Sequence, residues 1–219
     1  MAFYRRNLPH LIIPGFPFFV TTRLAGSLPQ QKLNALREEF QKETQKIQKL
    51  KNKQSRILHK KELHRTFFLK YDDFLHERST GPTWLANEQV AQIVHDSLHW
   101  GDGRLYHLIA FTLMPNHIHV VLLPKWENHK EKISQERKDE DAYFLARIME
   151  SFKKFTARKA NKILGRQGQF WQHESYDHLI RNERELKRAV NYTLQNPVKA
   201  GLAATPDDYR WNYVNWDFL

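Results

Sequence analysis

The sequence predicts an α+β fold: an antiparallel sheet with helices packed on one face and a helical hairpin inserted after the first strand. Three observations predict it. Runs rich in β-branched and aromatic residues alternate with stretches of helical periodicity. Two apolar runs, residues 108–113 and 120–123, adjoin across Pro115-Asn116 and read as two central strands. Residues 30–79 carry apolar positions at three- and four-residue spacing within a polar stretch. A chain of 219 residues, 41% hydrophobic, buries a core of its own. Its length suits one domain, residues 1–219, with residues 28–80 as the insertion.

Residues 17–24 (PFFVTTRL) form the first strand and break at Ala25-Gly26-Ser27. Leu33, Leu36, Phe40, Ile47, Leu50, Ile57 and Leu58 then follow a helical seam, and Leu63, Phe67, Tyr71, Phe74 and Leu75 continue it. This arm packs on itself or on another copy. Its lysines, Lys46 to Lys61, also suit a DNA contact, but interleaved acids favour a solvated face. Residues 79–82 mark a turn, and Asn87 caps a helix carrying Val90, Ile93, Val94 and Leu98. Gly101-Asp102-Gly103 ends that helix before a strand over 104–113. Past the second central strand lie a charged loop, 125–141, and an amphipathic helix over about 142–164. The inward stripe of that helix is Leu145, Ile148, Phe152, Phe155 and Ile163. Residues 175–181 make the last strand, and Asn182 caps a helix over 183–195.

The second central strand opens with His117 and His119. Strand side chains alternate between faces, so both imidazoles point one way while Ile118 and Val120 enter the core. That arrangement suits bidentate metal binding. Twelve histidines in 219 residues give about 0.7 such pairs by chance, so a hydrogen-bonded surface pair is the competing reading. His173 and His178, five apart around the last strand, read as ordinary surface or supporting histidines.

Lys and Arg outnumber Asp and Glu by 35 to 24, and a net charge of +11 favours a polyanionic partner, with nucleic acid the leading class. Lys154, Arg158, Lys162 and Arg166 recur every four residues as a cationic ridge able to follow a phosphate backbone. Gln169, Phe170 and Trp171 follow in GRQGQFWQ, where glycines beside aromatics suit stacking on unpaired bases and core anchoring about equally. The chain has no cysteine, which excludes disulfides and thiolate metal sites. The prolines at 14 and 17 argue against a signal peptide, and no stretch reaches the ~20 apolar residues a membrane span needs, so a cytoplasmic location is expected. P-loop, HExxH and GxSxG motifs are missing.

On the last helix Tyr192 and Asn196 lie one turn apart, at the margin of the stripe formed by Leu186, Ala189, Val190 and Thr193. A tyrosine there can lean into a cleft, but seven other tyrosines compete with it as a nucleophile.

Two separated motifs change this balance. MPNHIHVVLLP (114–124) and GRQGQFWQHESYDHLIRNERELKRAVNYTLQNPVKAGL (165–202) resemble the REP-associated tyrosine transposases, relatives of the single-tyrosine HUH transposases. The resemblance runs from Trp84 to Trp211 with the first strand added. It implies a ferredoxin-like sheet, a metal site on His117 and His119, a nucleophile at Tyr192 and a third ligand at Asn196. Many relatives carry glutamine at that last position, and Tyr176 is the second choice for nucleophile. Cleavage of single-stranded or hairpin DNA is then expected, with Mg2+ or Mn2+, through a 5'-phosphotyrosine. The alternative is a domesticated, non-catalytic hairpin-binding protein. A hydrolase of small phosphate esters would leave the basic ridge without a purpose. The resemblance leaves open whether the chain acts as monomer or homodimer.

Overall fold

Cross-strand pairing of alternating apolar residues organises the chain in the computed structural model, which describes residues 2–5, 9–12, 15–76, 81–125 and 144–219. Two short strands, β1 (Ala2–Arg5) and β2 (Pro9–Ile12), make an antiparallel hairpin. The first sheet strand, β3 (Phe18–Arg23), is buried throughout. The helices α1 (Gln30–Gln48) and α2 (Lys53–His76) follow it. Next come α3 (Glu88–Gly101), β4 (Tyr106–Leu113) and β5 (His117–Pro124). They are followed by α4 (Phe144–Ile163), β6 (Tyr176–Leu179), α5 (Glu183–Lys199) and β7 (Asn212–Val214). The charged loop expected at 125–141 and the first residues of the helix after it lie outside the described residues from 126 to 143.

The chain divides into two compact units, residues 1–25 with 83–219, and residues 26–82. In the second unit α1 and α2 pair antiparallel. Phe40 meets His64 and Phe67 edge to face, Lys70 pairs with Glu39, and the Lys32 ammonium sits over the Phe74 ring. Ile57 and Leu58, assigned to the seam by their spacing, are instead 52% and 67% exposed.

The first unit has a five-stranded sheet in the order β6-β3-β5-β4-β7, and every pairing in it is antiparallel. Without β7, the sequence of elements β3-α3-β4-β5-α4-β6 and the order β6-β3-β5-β4 are those of a ferredoxin-like βαββαβ sheet. Its core joins Phe18 and Val20 of β3, Leu108 and Phe111 of β4, and Ile118, Val120 and Leu122 of β5 to α3 and α4. Asn87 caps α3 by accepting from the Val90 N–H, and Asn182 caps α5 by accepting from the Glu185 N–H.

Two features go beyond a helical layer on one face. The helix α5 lies on the other side of the sheet, against β4 and β5, and runs through Pro197 to Lys199 rather than ending near residue 195. An edge strand, β7, is held by Tyr213 stacking on Phe111 and by the Tyr209 hydroxyl donating to the Leu113 carbonyl. The stripe of α4 also needs correction. Its inward side continues through Thr156 and Ala160, both fully buried, and leaves Phe155 44% and Ile163 39% exposed. A 3.6-residue period carries the sheet-facing line along four-residue steps from Phe152, and Phe155 falls off it.

Candidate functional site

The β5 alternation turns His117 and His119 onto the face covered by α5, while Ile118 and Val120 join the core beneath α3 and α4. Register lines up Tyr176, Thr21, His119, Thr112 and Asn212 as one cross-strand row on the histidine face. Arg23 stands opposite His117 in the next row. Both histidines are fully buried.

The two Nε2 atoms lie 3.2 Å apart. His117 Nδ1 is 2.6 Å from Asn116 Oδ1. An amide oxygen only accepts, so this nitrogen carries the proton and Nε2 presents its lone pair. His119 Nδ1 is 2.8 Å from the Thr21 hydroxyl, which donates or accepts and so serves either tautomer. Two nitrogens about 2.0–2.1 Å from one cation, at right angles or tetrahedrally disposed, stand about 2.9–3.4 Å apart. The donor set fits a cation: both outer nitrogens are anchored and both inner ones converge at that separation. Thr112, beside His119 in the row, keeps a buried hydroxyl with no hydrogen-bond partner among the described residues, which leaves polar capacity at the same spot.

Tyr192 is half-buried on α5. Its ring meets His119 edge-on with centroids 5.6 Å apart and meets Phe19 at 5.9 Å. The Lys199 ammonium lies 4.5 Å from the ring centre. One turn beyond Tyr192, Asn196 is fully buried rather than marginal, in line with Leu186, Val190 and Thr193 on the buried side of α5. Tyr176 shares the histidine row across Thr21. Burial pushes its phenol well above the usual tyrosine value, with Asp177 adding to the shift, which opposes ionisation there.

Of the residues expected to meet DNA, Lys154, Arg158 and Lys162 are exposed on α4, and Lys154 pairs with Glu150. Arg166 is not part of an open ridge. Its guanidinium lies 3.6 Å from the Trp84 ring centre and donates to Asn161 Oδ1 and the Gln169 carbonyl. Phe170 and Trp171, read from sequence as base-stacking residues or core anchors about equally, are packed as core anchors. Phe170 is fully buried and stacks on Trp84, while Trp171 packs by Phe152 and donates its indole N–H to Thr156 Oγ1. A buried ring has no face to offer a base. Gln169 is exposed, but its amide donates to the Trp171 carbonyl. Between this segment and α4 runs a groove of about 610 Å3, floored by Val20, Met149 and Trp171 and rimmed by Lys153, Gln172 and Asp177.

The spacing of the motifs points to His117, His119, Tyr192 and Asn196, but not to Asn116, Thr21 or Phe19. Asn116 is legible as the polar neighbour of a candidate ligand. Thr21 and Phe19 reach the site through strand pairing across 98 residues or more, which leaves no local signal.

No protein-family model matches the chain. A curated protein of Haemophilus influenzae, named for the REP-associated tyrosine transposases, is 25% identical over 114 residues. That match covers 51% of this chain and 61% of the relative, so the chain spans about three-fifths of its length. Among solved structures, the chain is similar to a REP-associated tyrosine transposase bound to a REP hairpin. The likeness has 17% identity and a TM-score of 0.47, covering 97% of this chain and 82% of that one. The sequence match agrees with the resemblance that the histidine and tyrosine motifs carry: over 114 residues the chain is similar to a protein named for the REP-associated tyrosine transposases.

Proposed function

We propose that the chain is a divalent-cation-dependent nuclease and strand transferase acting on single-stranded or hairpin DNA, with Tyr192 as nucleophile. The observation that carries this reading is the convergence of the His117 and His119 Nε2 atoms, 3.2 Å apart, beside the Tyr192 ring. Phosphodiester cleavage by a phenol needs a nucleophilic oxygen and charge neutralisation at the same phosphate. A cation held by His117 and His119, with Asn196 as third ligand, supplies that neutralisation when bound, and Mg2+ or Mn2+ suits phosphate oxygens.

The chain's own groups do the rest. The Tyr192 oxygen attacks phosphorus and loses its proton, the bond from phosphorus to the 3' oxygen breaks, and that oxygen leaves as a hydroxyl after taking a proton. The products are a 5'-phosphotyrosine and a free 3'-hydroxyl. Reversal of the step with another 3'-hydroxyl rejoins DNA without ATP. Phe19 and Lys199 brace the ring from two sides, which holds the phenol against the histidine face. The outer surface of α4 supplies cations for the phosphate backbone.

The test is incubation of the protein with 5'- and 3'-labelled hairpin oligonucleotides, with and without Mn2+. A covalent adduct on the fragment carrying the 5' phosphate, dependent on the cation, supports the proposal. Hairpin binding with no adduct under any cation supports the non-catalytic binder in its place.

A further inference from the structure

The residues from 151 to 173 contain no carboxylate and six cations: Lys153, Lys154, Arg158, Lys159, Lys162 and Arg166. Lys153 donates to the Gln172 and His173 carbonyls, and Arg166 is folded onto Trp84, which leaves four on the outer surface of α4. At 100° per residue, Phe155 sits among them, with Lys162 20° to one side and Lys159 40° to the other. Arg158 and Lys154 follow at 60° and 100°. The ring is 44% exposed, and the Lys159 ammonium lies 5.9 Å from its centre. An apolar ring left partly in water forgoes a corresponding share of the stabilisation that burial gives. Every other phenylalanine of this helix, Phe144 and Phe152, is buried.

We propose that this face of α4 binds single-stranded nucleic acid, with Phe155 stacking on an unpaired base and Arg158, Lys159 and Lys162 contacting the phosphates on either side of it. This deepens the proposed function and rests on its reading of α4 as the DNA-facing helix. An exposed aromatic ring flanked by Arg158, Lys159 and Lys162, with the one nearby acid, Glu150, paired to Lys154, matches a ligand that is both anionic and planar. Single strands offer both at a repeat of a few ångströms. Paired bases do not expose their faces, so a duplex gains from the cations alone. Phe155 thus takes the role that its buried neighbours Phe170 and Trp171 cannot fill.

The probe is an unstructured thymidine 20-mer, with a duplex of equal length and phosphatidylserine vesicles as comparisons, and with thermal melting to check folding. Phe155→Ala is expected to weaken binding to the 20-mer about tenfold. Phe155→Leu should do the same, and Phe155→Trp should restore affinity. Duplex binding and the salt dependence of 20-mer binding should be nearly unchanged in all three variants. Wild-type affinity in Phe155→Leu overturns the stacking role, as does an equal loss for duplex and 20-mer. Loss confined to vesicles assigns the face to a lipid surface and overturns the proposal as well. A separate variant, Arg158→Gln with Lys159→Gln and Lys162→Gln, tests the underlying reading. If its salt dependence equals that of wild type, α4 does not face DNA at all, whereas a flattened slope with a neutral Phe155→Leu removes only the stacking inference.

Discussion

The Tyr192 ring stands edge-on to His119, centroids 5.6 Å apart, although the two residues belong to a helix and a strand separated by 73 positions. A nucleophile is expected there and not at Tyr176, whose phenol is held in its neutral form by burial. Tyr192→Phe removes one oxygen and keeps the contacts with Phe19, His119 and Lys199. Melting temperature and hairpin affinity should stay close to wild type, while the covalent adduct falls by at least about a thousandfold, the scale of losing an essential nucleophile. Tyr176→Phe should retain the adduct. Peptide mapping of the trapped complex decides the choice, and DNA on any tyrosine other than 192 rules out the assignment.

Replacing His117 or His119 by Ala should abolish cation-dependent cleavage and leave most hairpin binding, because the proposed phosphate contacts lie on α4. Thr21→Val separates support from ligation. It removes the hydroxyl that anchors His119 Nδ1 and should weaken Mn2+ binding by about 10- to 100-fold, the usual cost of losing a partner behind a ligand. Isothermal titration with Mn2+ reads this without any DNA. Unaltered affinity in Thr21→Val would mean that His119 is oriented by something else.

Charge and packing variants on the basic segment should part company. Neutralising Arg158, Lys159 and Lys162 together should flatten the plot of log affinity against log salt by roughly 0.7 for each phosphate left without its cation. Arg166→Gln should act on stability instead, since its guanidinium is spent on Trp84, Asn161 and the Gln169 carbonyl. Trp171→Phe, which loses the hydrogen bond to Thr156, should cost about 1–3 kcal/mol of folding stability with little change in DNA affinity. A large affinity loss at unchanged melting temperature would return Trp171 to the nucleic-acid surface.

Acid should destabilise the fold through His99 and His178. Burial is the main cause that lowers both imidazoles below the ordinary value of 6.5, with His95 and Arg181 adding to it respectively. Above that value both states are neutral and neither residue contributes. As pH falls through it the unfolded chain takes up the protons first, so stability declines until the folded imidazoles also titrate. Urea midpoints measured from pH 7.5 to 5 should fall, and His99→Gln should make the decline shallower. Superimposable profiles for the variant and wild type would exclude His99 as a source.

Much of this architecture is readable from local pattern. The β-branched run around Phe18, the apolar stretches of β4 and β5, and the asparagine caps at 87 and 182 each act within a few residues. The shared face of His117 and His119 follows from alternation alone. What local pattern does not carry depends on distant neighbours. Phe170 and Phe155 both stand in basic, helix-associated sequence, yet one is fully buried under Trp84 and the other is 44% exposed, and only tertiary packing distinguishes them. Pro197 suggests a helix end, and the continuation to Lys199 brings a cation over the Tyr192 ring that no spacing rule anticipates. The edge strand β7 is three residues long, too short for periodicity to register.

Alternation along β5 also divides labour in space. The histidines look toward α5, and α4 covers the reverse side of the same sheet, so its cations point outward from the opposite flank. An oligonucleotide that engages both must bend around a margin of the sheet. With roughly 10 Å for the sheet layer and a similar thickness for the helix, the detour is roughly 20 Å, a span of several nucleotides. On the proposed function, grip and scission would then draw on different stretches of one strand. Substrates trimmed below that reach should still be held by α4 yet fall short of Tyr192, making the chain a ruler for the distance between a docked element and its cut.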